Sequence, residues 1–212
     1  MDASGYKLII GRGRLLAAAA AAWRELLPGA RVEVVEIVED ANYSFDLTPL
    51  DAVTRAGAGG SAFVALGPQF LNFRRFELMA VLKERGLRTP PLIEPGARVS
   101  ADAVVGDCSW IGAGAFLGAG ARIGYASYIG AGCLVGAGSA IGNSVWVERG
   151  VIVGDECRVG NNTILGRGVI LDDGVEVGRL CVLDRPARHD RDVVPRTFIR
   201  QDFDQPLFIV GA

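Results

Sequence analysis

The segment SVWVERGVIVGDECRVGNNT, residues 144–163, carries four side chains able to handle charge: Glu148, Arg149, Asp155 and Arg158. A carboxylate can take a proton from an attacking hydroxyl or amine. An arginine stays protonated at any working pH, so Arg149 and Arg158 suit the holding of a phosphate or carboxylate and not general-base work. Two cations facing one cleft would draw anions to it with or without turnover. The chain's single histidine, His189, stands downstream in RPARHDRDVVP beside Asp190. It reads as a solvated tail residue or, if the tail folds over a neighbour, as a relocated base. Cys108, Cys133, Cys157 and Cys181 form no CxxC pair and have no histidine beside them. No metal site is expected, and the thiols read as reduced.

A regular framework positions these groups. From Ile93 to Leu183 an aliphatic residue recurs every six positions without exception, through Val147, Val153, Val159 and Leu165. The fourth residue after each is small or β-branched, and Cys133, Cys157 and Cys181 fall in that slot. Hexapeptide repeats of this kind specify a parallel β-helix whose coils stack their inner residues. Three hexads make a coil, so residues eighteen apart stack at about 4.8 Å, the spacing of neighbouring strands. Arg149 and Arg158 are thereby fixed outward, and the three cysteines become core filler.

The outward residues sort into three ladders. Leu92, Trp110, Tyr128, Trp146, Ile164 and Val182 form one; Arg98, Phe116, Leu134, Ile152 and Ile170 form the next; Val104, Arg122, Ala140, Arg158 and Glu176 form the third. Two are apolar, too large a stripe to leave in water. The expectation is a closed ring of copies, a homotrimer, with the N-terminal domain or the tail able to hide one ladder but hardly both.

Before the repeat, YKLIIG (6–11) reads as a strand and the alanine-rich stretch to Leu27 as a helix. RVEVVEIV (31–38) and SAFVALG (61–67) follow as strands, and residues 68–86 as a helix. That order implies a small parallel sheet flanked by helices. The turn Gly11-Arg12-Gly13-Arg14-Leu15-Leu16 keeps two glycines of GxGxxG and lacks the third. Its backbone N–H groups, with Arg12, could face a phosphate, and Glu39 and Asp40 could accept from ribose hydroxyls. Ordinary loop charges beside a packing turn are the other reading. The expected organisation is α/β plus all-β: a Rossmann-like nucleotide-binding domain over 1–90, a left-handed β-helix over 91–184 and a C-terminal tail over 185–212.

Composition narrows the partners. A net charge of -2 with interspersed signs gives no footprint for nucleic acid or an anionic membrane. No apolar run reaches the length of a spanning helix. LLAAAAAAW, from Leu15 to Trp23, follows a strand and lacks a convincing cleavage site, so a cytoplasmic protein is expected.

Over roughly residues 6–195, on KLIIGRG, VEIVED, AFVALG, LKERGLRTPPLIEP, the hexads and RDVVPRTF, the chain resembles the sialic-acid O-acetyltransferase and bacillosamine/perosamine N-acetyltransferase family of sugar acyltransferases. The resemblance implies a nucleotide-linked sugar on the small domain and acetyl-CoA, or another acyl-CoA, between the β-helices of a trimer. It also implies a histidine in a hexad turn as general base. The family's histidine falls on Arg149 and its carboxylate partner on Gly150. A second family histidine falls on Arg158, and a glycine near the coenzyme on Arg167, beside Gly166. The family's Ile-His-Pro entering the β-helix is Ile93-Glu94-Pro95 here, and small residues of the first turn are replaced by Arg14 and Leu16.

Three functions follow. The first is an acyltransferase whose base is Glu148 or Asp155, or whose acceptor arrives deprotonated, with Arg149 and Arg158 on anionic groups. The second is a binding or scaffolding homologue that keeps the trimer without turnover. The third is an enzyme of another class with an arginine-lined pocket.

Overall fold

The computed structural model describes residues 5–38, 45–50, 60–203 and 205–208. The N-terminal sheet consists of β1 (Tyr6–Gly11), β2 (Arg31–Glu36) and β3 (Ser61–Ala65), parallel and ordered β2-β1-β3. β1 is central because Leu8, Ile9 and Ile10 are apolar without alternation, and all three are buried. Helix α1 (Gly13–Leu26) buries Leu16, Ala19, Ala20 and Trp23, one stripe at helical spacing. It ends at Leu27, ahead of Pro28-Gly29. Helix α2 (Phe73–Glu84) buries Arg75, Leu78, Met79 and Leu82.

Between β3 and α2 a 3-10 turn places Phe70, Leu71 and Asn72 at φ of 48, 51 and 64°, three consecutive non-glycine residues in the left-handed region. Such backbone costs about 1–2 kcal/mol per residue. Hydrogen bonds to the β-helix hold it: Asn72 Nδ2 donates to Ser144 O at 2.7 Å, and Asn162 Nδ2 donates to Leu71 O at 2.8 Å.

From Leu92 onward, two-residue strands stack into three parallel sheets, the faces of the β-helix. The first face contains Trp110, Tyr128, Trp146 and Ile164 in register, the second Phe116, Leu134 and Ile152, the third Arg122, Ala140 and Arg158. The inner aliphatic column is sealed: Ile111, Ile129, Val147 and Leu165 are 0% exposed. The small slots knit the coils together, as where Ser127 Oγ donates to Gly142 O at 2.8 Å and accepts from Val145 N at 3.1 Å. Cys133, Cys157 and Cys181 are buried in the same slots, and Cys108 is buried against β3, its Sγ accepting from Val64 N. Close stacking also explains a turn glycine: a Cβ on Gly130 would lie 2.6 Å from Arg149 N.

The first ladder points outward from the β-helix but is covered by the N-terminal elements, the cover expected to be possible for one ladder and not for both. Phe63 of β3 packs edge-on to Trp110, which packs edge-on to Tyr128, and Tyr128 stacks on Trp146 at 4.0 Å between centroids. Arg75 of α2 lies over Trp146 at 5.6 Å. Leu92, Cys108, Trp110 and Ala126 therefore join the core of β1, β3, α1 and α2. Only the second ladder stays open, with Phe116, Leu134 and Ile152 each about 40% exposed. One sticky face, not two adjoining ones, remains for a partner.

The stretch after residue 184, read as a tail, extends two of the sheets. Ala187–His189 pairs with Val169–Leu171, and Thr197–Ile199 pairs with Val182–Leu183. The last coil is two residues short, since Val177 bridges to Val193 and Leu183 pairs with Ile199. Leu207–Phe208 closes the end as an antiparallel strand on Thr197–Phe198. His189 is thus no solvated tail residue: it stands in register with Leu171, at the inner position six residues after Leu183. Among the described residues no helix is long and apolar enough to cross a membrane.

Candidate functional site

Each coil turns from the first face to the second through a short corner: Gly112-Ala113-Gly114, Gly130-Ala131-Gly132, Glu148-Arg149-Gly150, Gly166-Arg167-Gly168, Asp184-Arg185-Pro186. Stacking puts Arg149, Arg167 and Arg185 in one row on three successive coils, about 4.8 Å apart by strand spacing. All three are exposed. Arg185 escaped sequence reasoning, although its eighteen-residue spacing from Arg167 was a sufficient signal.

Glu148 is the organised carboxylate of this corner. Its Oε1 accepts from Trp146 Nε1 at 2.8 Å, and its Oε2 lies 3.9 Å from Arg167 Nε. The indole fixes the carboxylate while leaving the second oxygen toward a pocket of about 280 Å³ lined by Glu148, Arg167, Asp184, Pro186 and Gln201. Three coils above, Glu94 is anchored in a related way: Oε1 accepts from Trp110 Nε1 and Oε2 from Ala113 N, both at 2.7 Å. Tyr128 sits between these carboxylates. Burial first, then the charges of Glu148 and Glu94, raise its phenol pKa, so it stays a neutral hydroxyl.

The other nominated residues are elsewhere. Asp155 belongs to the next corner, where its Oδ1 caps Ala137 N at 2.7 Å and its own N–H donates to Asp173 Oδ1 at 2.8 Å. That ladder of carboxylates closes turns and sits apart from Arg149. Arg158 lies on the third face, 3.6 Å from Glu176, in a groove of about 500 Å³ with Ala140 and Asp192. Nine residues are half a coil, so within one chain Arg149 and Arg158 occupy opposite sides of the prism and share no cleft. The structure brings together Glu148, Arg149, Gly166 and Arg167, and separates Asp155 and Arg158 from them.

At the first turn, Gly11 is glycine because a Cβ would lie 2.6 Å from the Ala65 carbonyl carbon. Gly13, at φ 57°, opens α1, and its N–H donates to Glu36 Oε1 at 3.1 Å. A carboxylate of the chain therefore already occupies a helix N-terminal donor that a phosphate would use. Arg12 flanks that turn and is half-buried. Glu36 is the acid at the end of β2; Glu39 and Asp40, nominated for that role, lie outside the described residues. Sequence reasoning missed Glu36 because the apolar residues continue to Val38 and extend the expected strand that far, whereas it ends two residues earlier. Among the described residues no group of His, Cys, Asp or Glu could hold a metal ion.

A family model, the GMPPB C-terminal domain, matches residues 87–189. No curated protein sequence matches the chain. Solved structures match over nearly all of it. A histidine-to-asparagine mutant of perosamine N-acetyltransferase from Caulobacter crescentus, in complex with CoA and GDP-perosamine, superposes with a TM-score of 0.80 at 21% identity, covering 95% of this chain and 96% of that one. The acetyltransferase domain of PglB from Neisseria gonorrhoeae gives 0.78 at 20% identity, covering 95% and 99%; with acetyl coenzyme A it gives 0.76 at 21%, covering 95% and 98%. Over almost its whole length the chain shares the fold of these sugar acetyltransferases, an N-terminal strand-and-helix region followed by a hexapeptide-repeat β-helix.

Proposed function

We propose that the chain is an acyltransferase that uses acetyl-CoA or another acyl-CoA and acts on a nucleotide-linked sugar or surface saccharide. The observation that carries the reading is the full-length likeness to acetyltransferases holding CoA and GDP-perosamine or acetyl-CoA. It is joined to a corner with the right chemistry. The row Arg149, Arg167 and Arg185, beside Gly166, fits the phosphates of a coenzyme laid along the β-helix axis. Glu148, held by Trp146 and open on its second oxygen, takes the acceptor's proton as the nucleophile attacks the thioester. Arg149 stands where the family's histidine would be and contributes charge, not proton transfer. The three parts proposed are a Rossmann-like unit (1–90), a left-handed β-helix (91–184) and a closing segment (185–212). The first offers Gly11, Arg12 and Gly13 to a nucleotide, whose phosphate would have to displace Glu36 from the Gly13 N–H. A homotrimer covers the second ladder and brings Arg158 of one copy toward Arg149 of another. The cytosol is its proposed compartment.

A specific observation favours the alternative, a non-catalytic binding homologue. The only histidine is built into the end of the β-helix, so this corner has no imidazole. Calorimetric titration with acetyl-CoA, followed by thiol release with amino-sugar nucleotides, separates the two. Binding with release, lost by about 10²–10⁴-fold in Glu148→Gln, supports the enzyme. Binding without release across the panel supports the scaffold, and no binding of any acyl-CoA overturns the enzyme.

A further inference from the structure

The open end of the β-helix is closed by an unusual residue. Every inner position from Ile93 to Leu183 is aliphatic; the next, six residues on, is His189. Its strand pairs in register with Leu171, so the imidazole continues the inner column, half-buried where Leu171 is 1% exposed. Its Nε2 is buried and has no hydrogen-bond partner among the described residues. The ring borders a pocket of about 310 Å³ whose apolar walls include Val193, Ile199, Pro206 and Phe208.

The charges around that pocket are mixed. Asp172 is paired with Arg188 Nε at 2.7 and 2.9 Å, while Asp192 keeps its charge and turns Oδ1 to the Glu176 N–H. Arg191 also lines the wall; on the imidazole itself burial and the positive charge of Arg185 oppose a proton, and Asp190 favours one. Thr197 Oγ1, also on the wall, is already donating to Val194 O at 2.6 Å. What covers the pocket is lightly held: Leu207 and Phe208 pair with only Thr197 and Phe198 and are 43% and 57% exposed.

We propose that His189 is a proton-operated latch of the terminal coil. Neutral, it completes the apolar column and keeps Thr197–Ile199 and its closing strand seated. Protonated, it places a charge in that column, and the end opens. Gln201 moves with it, so the pocket beside Glu148 loses a wall. The effect on that pocket matters for chemistry only under the acyltransferase reading; the latch does not depend on it. Burial and Arg185 both depress the imidazole pKa, in keeping with this geometry. The sign follows: closure is intact above the ordinary value of 6.5 and weakens as pH falls below it toward the lower folded value.

The chain has one histidine, so a labelled imidazole gives one NMR titration in the intact protein. Its midpoint is expected below 6.5. Below that ordinary value, exchange protection of the Asp184 and Gly178 amides, which donate to Ile199 and Val193, should fall about tenfold per pH unit while Gly124 and Gly142 stay protected. His189→Leu, which restores the aliphatic pattern, and His189→Gln, which cannot take the proton, should both abolish the pH response. A midpoint at or above 6.5, or the same loss of protection in either variant, overturns the proposal. None of these readouts involves acyl transfer, so a failure to bind acetyl-CoA bears on the function alone.

Discussion

Gly11→Ala tests whether the first turn is glycine for packing or for a ligand. The added methyl would lie 2.6 Å from the Ala65 carbonyl carbon and closer still to its oxygen, and both atoms are backbone in the neighbouring central pair of strands. No side-chain rotation relieves that contact. β1 and β3 must part, and the Arg12 N–H to Ala65 O bond at 3.3 Å goes with them. Overpacking of this kind costs about 3 kcal/mol and the hydrogen bond about 1, against a gain of about 0.5 from stiffening the unfolded chain. The net is about 3–4 kcal/mol, or a fall in Tm of roughly 6–16 °C for a chain of this size. Gly13→Ala is the internal control. Nothing lies within 4 Å of its Cβ position, so only the left-handed φ of 57° is penalised, at about 1 kcal/mol. Thermal unfolding followed by circular dichroism reads both without any ligand. If Gly11→Ala melts with the wild type, or above Gly13→Ala, the packing explanation is wrong.

Further predictions use the same reasoning. Burial pushes up the thiol pKa of all four cysteines, Cys133 to about 11, so the native protein at pH 8 should give almost no reaction with a disulfide reagent and four thiols only after denaturation. Asn72→Ala removes the bond to Ser144 O from a buried, left-handed residue; a loss of about 2–3 kcal/mol is expected by denaturant titration, with the slope unchanged. Leu134→Asp in the middle of the second ladder should leave the monomer's circular dichroism intact and shift a trimer to monomer in analytical ultracentrifugation; an unchanged mass would place the interface elsewhere.

Most of the β-helix was legible because its physics is periodic. Each coil must bury one aliphatic and one small residue per face, so Val147, Cys157 and Leu165 announce their places in any single hexad. The same rule reached His189 unnoticed, since the pattern is written in aliphatics and ends one step too soon. Contacts between distant segments were not legible. Nothing local to Trp110 or Trp146 says that β3 and α2 will cover them, and a ladder met by Phe63 and Arg75 looks in sequence like the one that remains exposed. The site was half readable: Glu148, Arg149 and Arg167 share a corner, while Asp155 is drawn into a capping ladder that only the stacked turns reveal.

Half a coil separates Arg149 from Arg158, and the distance has a consequence for genetics. A site that uses both must borrow them from two chains, so each interface is a joint product. Under the proposed function, copies altered at Arg149 and copies altered at Arg158 should each be defective alone. When they are unfolded together and allowed to reassemble at random, about a quarter of the interfaces combine the two intact sides. Recovery of function from two inactive parents would therefore count the contributors to the site without a structure of the assembly.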